Sequence, residues 1–172
     1  MRGRAWRRAC GGAGLLAAVL SGGAGTAQDV AFKDAVVEAC FARDDARSCI
    51  GDAAAVCMEV SEGGFSTVAM GGCLSRELQV WDRLLNAEYG RVVAFAQARD
   101  ADRPEGFNVP AMEPALREMQ RDWIAFRDSS CTWERVQWGG GTGGGPATNA
   151  CLLRMTAEQA IFLKGQGLGD GQ

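Results

Sequence analysis

Seven cysteines, twenty-one carboxylates and a run of glycines are the residues of this chain whose types and spacing could do chemistry. Histidine is absent, which removes the imidazole base on which serine and cysteine nucleophiles usually depend. Metal binding loses its commonest nitrogen ligand for the same reason, and no CxxC pair offers a thiolate alternative. The run Gly139-Gly-Gly-Thr-Gly-Gly-Gly145 lacks the preceding strand, and the lysine followed by Ser or Thr, that a phosphate-cradling loop requires. It reads as a flexible surface loop in which no helix survives. Carboxylate-pair hydrolysis of glycosides stays open, with Glu62 beside a glycine turn as the most suggestive residue. Most acidic side chains, however, only solvate a surface. None of these patterns implies a cofactor.

The cysteines take their meaning from the start of the chain. Arg2, Arg4, Arg7 and Arg8, an apolar run from Leu15 to Leu20 and small residues up to Ala27 have the layout of a signal peptide over residues 1–27. The apolar run falls far short of the roughly 20 residues that span a bilayer. Cys10 precedes that run, whereas a lipoprotein anchor needs a cysteine after it, so no membrane anchor is expected. An exported chain then keeps Cys40, Cys49, Cys57, Cys73, Cys131 and Cys151 as three disulfides, formed in the periplasm or outside the cell. Fifteen pairings are open; the preferred one is the sequential set Cys40–Cys49, Cys57–Cys73 and Cys131–Cys151. Each such short loop would contribute about 2–4 kcal/mol by restricting the unfolded chain.

Beyond Ala27 the chain carries 14 basic residues, the 18 total less four in the leader, against 21 acidic ones, a net charge of −7. That balance disfavours nucleic acid and anionic membranes and favours cationic partners or none.

One small all-α domain must position these residues, since helical periodicity dominates the chain and strand-like alternation is scarce. Val30 to Phe41 reads as a first helix, with Val36, Val37 and Cys40 on one side. A second short helix, capped by Asp44 or Asp45, carries Ile50, Ala53, Ala54 and Cys57 at helical spacing. Gly71-Gly72 punctuates a connector, and a long helix from about Cys73 to Arg99 follows with Leu74, Leu78, Trp81, Leu85, Val92 and Phe95 on one stripe. After a proline-bearing loop, a second long helix carries Met112, Leu116, Met119, Trp123, Phe126 and Trp133 in the same rhythm. The two long helices form an antiparallel pair, the centre of a disulfide-stapled bundle. A last helix from about Asn149 to Leu163 turns Cys151, Leu152, Met155 and Phe162 inward, and 165–172 is a flexible tail. Trp81, Leu85, Trp123 and Phe126 are expected to be buried together.

Polar residues stand close to the apolar stripes of both long helices. Asp82 and Asn86 are four apart beside Trp81 and Leu85, while Arg127 and Asp128 follow Phe126. An arginine and a carboxylate between facing helices could pair, with Asn86 or Gln120 satisfying leftover donors. Such a network either fixes helix register or forms a ligand site.

At these residues the chain resembles the LprI-like lysozyme inhibitor family. The family's first pattern, Asp-x-x-Leu-Asn-x-x-Tyr, stands here as Asp82-Arg-Leu-Leu85-Asn86-Ala-Glu-Tyr89. Its second, Gln-x-x-Trp-x-x-x-Arg-Asp-x-x-Cys, stands as Gln120-Arg-Asp-Trp123-Ile-Ala-Phe-Arg127-Asp128-Ser-Ser-Cys131, and Cys151 opens the third helix. The likeness covers 57–164 and leaves 28–56, with Cys40 and Cys49, as an N-terminal helical extension. It implies an exported, non-enzymatic helical protein that inhibits lysozyme-type muramidases by binding them, its motif residues serving as structural positions. A cationic lysozyme is the partner so implied. If Cys131 and Cys151 pair, the loop 132–150 with Trp133, Arg135 and Trp138 is the expected contact. The alternative is an envelope interaction module with no lysozyme contact. Oligomeric state is left open.

Overall fold

The computed structural model describes residues 30–106 and 108–166. The expected leader, and all but the first two residues of the expected tail, lie outside the described residues. The described residues form helices and turns, with no strand. Helix α1 (Asp34–Ala42) leads through a 3-10 turn (Ala46–Cys49) into α2 (Asp52–Val60). Three long helices follow, α3 (Thr67–Ala101), α4 (Met112–Val136) and α5 (Gly144–Lys164).

Bonds between helices fix their directions. Asn149 Nδ2 donates to Gly71 O at 3.0 Å, and the Arg91 guanidinium donates to Leu163 O at 2.9 Å, so α5 runs parallel to α3. Gln159 donates to Gln120 at 3.0 Å and Cys151 is bonded to Cys131, so α4 runs antiparallel to both. The antiparallel pair α3–α4 is therefore closed by α5, whose Leu153, Ala157, Ala160 and Leu163 are buried in the main core. Disulfides join Cys40 to Cys49, Cys57 to Cys73 and Cys131 to Cys151. The last two staple α2 and α4 to α3 and α5 at one end of the bundle.

Four helix starts differ from the sequence expectation: α1 begins at Asp34 rather than Val30, α2 begins at Asp52 behind Gly51 rather than at an Asp44 or Asp45 cap, and the other two begin at or before glycines. Helix α3 begins at Thr67 and runs through Gly71-Gly72, the residues read as a connector. Ser66 caps it, its hydroxyl oxygen accepting from Ala69 N at 3.2 Å. Small residues suit this turn because other elements come close: a Cβ on Gly72 would lie 3.4 Å from Val30 Cγ1. Helix α5 begins at Gly144, inside the run that was expected to exclude helix. Pro146 fits there because N–H groups of a first turn have no partner within the helix.

Helix α4 lacks a capping side chain of its own and borrows one from α3. The Asp100 carboxylate accepts from Glu113 N and Met112 N, both at 2.8 Å. Those backbone bonds, Glu113 N–H first, hold the carboxyl below its ordinary 3.8. The sign follows: this support is complete above the unfolded value and is lost as pH falls through the lower folded value. Thermal melts of wild type and Asp100→Asn should therefore differ near neutral pH, and the difference should shrink as pH falls below the ordinary 3.8.

The inward face of α4 corrects the expected rhythm. Leu116, Met119 and Trp123 pack against the core and Gln120 is buried, but Phe126 is 64% exposed and Trp133 65%. Arg127 takes the place assigned to Phe126, its guanidinium 5.0 Å from the centre of the Trp123 ring. Trp123 is thus only half-buried, and Phe126 does not join it. On α1, Val36 is likewise exposed, whereas Val37 and Cys40 are buried, and on α5 Phe162 is exposed while Cys151 and Met155 are buried as expected.

Burial is deepest around Trp81. Its ring meets Phe41 edge-on at 5.8 Å between centroids, and its Nε1 donates to Glu77 Oε1 at 3.0 Å. Glu77 is itself buried, and its two oxygens accept from Gly51 N at 2.8 Å and Ala54 N at 2.7 Å. One carboxylate on α3 therefore caps α2 and orients the central tryptophan.

Candidate functional site

The expected contact loop 132–150 is not a loop. Helix α4 continues through Trp133 and Arg135 to Val136, and only residues 137–143 turn before α5 begins. Gly141 N donates to Trp138 O at 2.9 Å, and Gly139 sits at φ +54°, a conformation that favours glycine. A Cβ on Gly143 would fall 2.2 Å from the Trp138 ring, so the glycine run lets the indole lie flat on the turn. Trp138 still leaves 53% of its surface in solvent, and Trp133 and Arg135 are exposed beside it. All three lie at a compact helix end rather than on a flexible probe, but Trp133 and Arg135, two apart on α4, point to different sides of the helix.

The motif residues divide into two groups. Trp81 and Leu85 are core, Tyr89 is half-buried, and Gln120 is spent on its bond with Gln159. Asp82, Asn86 and Asp128 are exposed. Asn86 bonds Asp82 within α3 at 3.1 Å, and Arg127 bonds Asp128 within α4 at 2.9 Å. The ion pair expected between facing helices therefore forms between sequence neighbours instead. Asp82, Arg83 and Arg127 line a shallow groove of about 530 Å³, with Leu78 and Leu152 as its apolar part.

A second surface at the stapled end had no counterpart in the sequence reading. The outward face of α2 carries Asp52, Ala55, Val56, Glu59 and Val60, an i, i+3, i+4, i+7, i+8 stripe. Phe65 and Val68, 70% and 67% exposed, continue it across the α2–α3 turn. Sequence could have shown this, because residues 48–75 contain no Lys or Arg while holding three acidic residues. Among the described residues, no group of His, Cys, Asp and Glu could hold a metal, and no helix is long and apolar enough to cross a membrane.

Comparison with known proteins decides the family. The model of the family "Lysozyme inhibitor LprI" matches residues 57–163, which spans all of α3, α4 and most of α5. The chain belongs to the LprI lysozyme inhibitor family. The LprI match begins at Cys57, so the Cys57–Cys73 and Cys131–Cys151 bonds lie within it and Cys40–Cys49 lies outside. An uncharacterized protein of Rhizobium meliloti (strain 1021) is 31% identical over 94 residues, covering 54% of this chain and 67% of that protein. No solved structure matches this LprI chain.

Proposed function

We propose that this LprI protein is an exported, non-enzymatic inhibitor that binds lysozyme-type muramidases directly, in the periplasm or outside the cell. The family match over residues 57–163 carries this reading. Charge supports it: a chain at −7 beyond Ala27 attracts animal-type lysozymes, which are generally cationic, and such attraction raises association rates. Trp133, Arg135 and Trp138 supply the contact, since exposed tryptophan and arginine are the side chains that most often anchor an interface. Their short, disulfide-closed support loses little freedom on binding. A non-enzymatic role agrees with how one carboxylate pair is used. Asp100 and Asp102 line a common cleft, but both oxygens of Asp100 are occupied in capping α4.

Calorimetric titration of the oxidised protein into a c-type lysozyme at physiological salt tests the contact. Saturable binding is expected, weakened by more than about 1 kcal/mol in Trp138→Ala and in Trp133→Ala. Unchanged affinity in both variants would remove these residues from the contact.

A further inference from the structure

We infer that the outward face of α2 and the α2–α3 turn form a second part of the surface that receives a cationic muramidase; this rests on the reading above. Two observations place this face at the same end of the bundle as the tryptophans. The Cys57–Cys73 bond ties the end of α2 to the start of α3, and the Cys131–Cys151 bond ties the end of α4 to the start of α5. The Asn149 bond to Gly71 O then holds the starts of α3 and α5 level. Both turns therefore sit at one end of the bundle.

The chemistry of the face selects its occupant. Val56, Val60, Phe65 and Val68 are each at least half exposed, and their neighbours Asp52, Glu59 and Glu62 are acidic. No positive charge occurs between Arg47 and Arg76. Residues 30–66 hold seven acidic and three basic residues, whereas 67–166 hold twelve and eleven, so the negative charge is concentrated on the segment that carries α2. An apolar face rimmed by one sign of charge matches a partner with apolar contacts and exposed Lys or Arg, and repels an anionic membrane.

The face is also held rigidly. Gly64 is buried, and a Cβ there would lie 1.8 Å from Met58 O, a backbone atom that cannot swing away. This close approach directs the turn so that Phe65 points outward. Glu77 fixes the other end of α2 through Gly51 N and Ala54 N.

Surface plasmon resonance with immobilised c-type lysozyme at about 0.15 M salt separates this inference from the reading beneath it. Glu59→Lys, and Val60→Ser combined with Phe65→Ser, should each weaken binding about tenfold or more, with unchanged circular dichroism and melting temperature. Glu118→Lys, an equal charge change on an exposed α4 residue toward the other end of the bundle, should weaken it less than about threefold. Wild-type binding left unchanged by the α2 variants overturns the inference alone. Equal weakening by Glu59→Lys and Glu118→Lys also overturns it, because the attraction is then diffuse. No wild-type binding overturns the muramidase reading and this inference with it.

Discussion

Replacing Glu77 with alanine lowers the stability of this protein by about 3–5 kcal/mol, because it strands three buried N–H donors at once. The side chain is 1% exposed, yet it accepts from three donors on two elements. Its removal leaves Gly51 N, Ala54 N and Trp81 Nε1 without their partner, and each orphaned buried donor costs about 1–3 kcal/mol. Those costs overlap, because water entering the vacated volume can satisfy some of the donors. Glu77→Gln keeps the shape and one carbonyl oxygen, so it should fall between wild type and alanine. Urea unfolding with an unchanged slope is the measurement. A loss below about 1 kcal/mol for Glu77→Ala would show that the carboxylate does not organise α2.

Trp81→Ala should cost about 3–5 kcal/mol by a different route, the cavity left by a large ring. Trp81 is fully buried, and the Phe41 edge contact would be lost with it. Since Glu77 and Trp81 are bonded at 3.0 Å, their effects should not add. The double variant should be less destabilised than the sum by about 1 kcal/mol or more, whereas independent sites would add within about 0.5 kcal/mol. Phe126→Ala offers the contrast. With that ring 64% exposed, the change should lie near the ±0.5 kcal/mol typical of surface sites. A cost near that of Trp81→Ala would restore the buried position first expected for it.

What sequence could show of this fold follows from how local each determinant is. The stripe holding Trp81, Leu85 and Val92 was readable because a buried helix face repeats at the helical period whatever packs on it. The inner face of α2, with Ala53, Ala54 and Cys57, was readable for the same reason. Glu77 was not, because a carboxylate between Cys73 and Trp81 reads as surface until α2 brings two backbone N–H groups to it. Yet Cys73, Glu77 and Trp81 lie four apart on one helix line, and that spacing was a signal. Phe126 was assigned inward by hydrophobicity, but Arg127 lies flat on Trp123 and occupies the place. The start of α5 was hidden by composition: Gly143 is needed under the Trp138 ring, and only tertiary contact reveals that. At the candidate site, Trp133 and Trp138 were named from sequence. The exposed α2 face is harder to read, because Val56, Val60 and Phe65 are apolar and only the packing of the turn shows that nothing covers them.

Muramidase inhibition is read directly in a cell-wall lysis assay. A c-type lysozyme at fixed concentration is titrated with the oxidised protein at physiological salt. Activity is expected to fall with added protein and reach its floor near a fixed molar ratio, because the contact is specific and largely preformed. Lysozyme activity that stays constant at physiological salt, or falls only when salt is low, would contradict that expectation and leave an envelope module without a muramidase target.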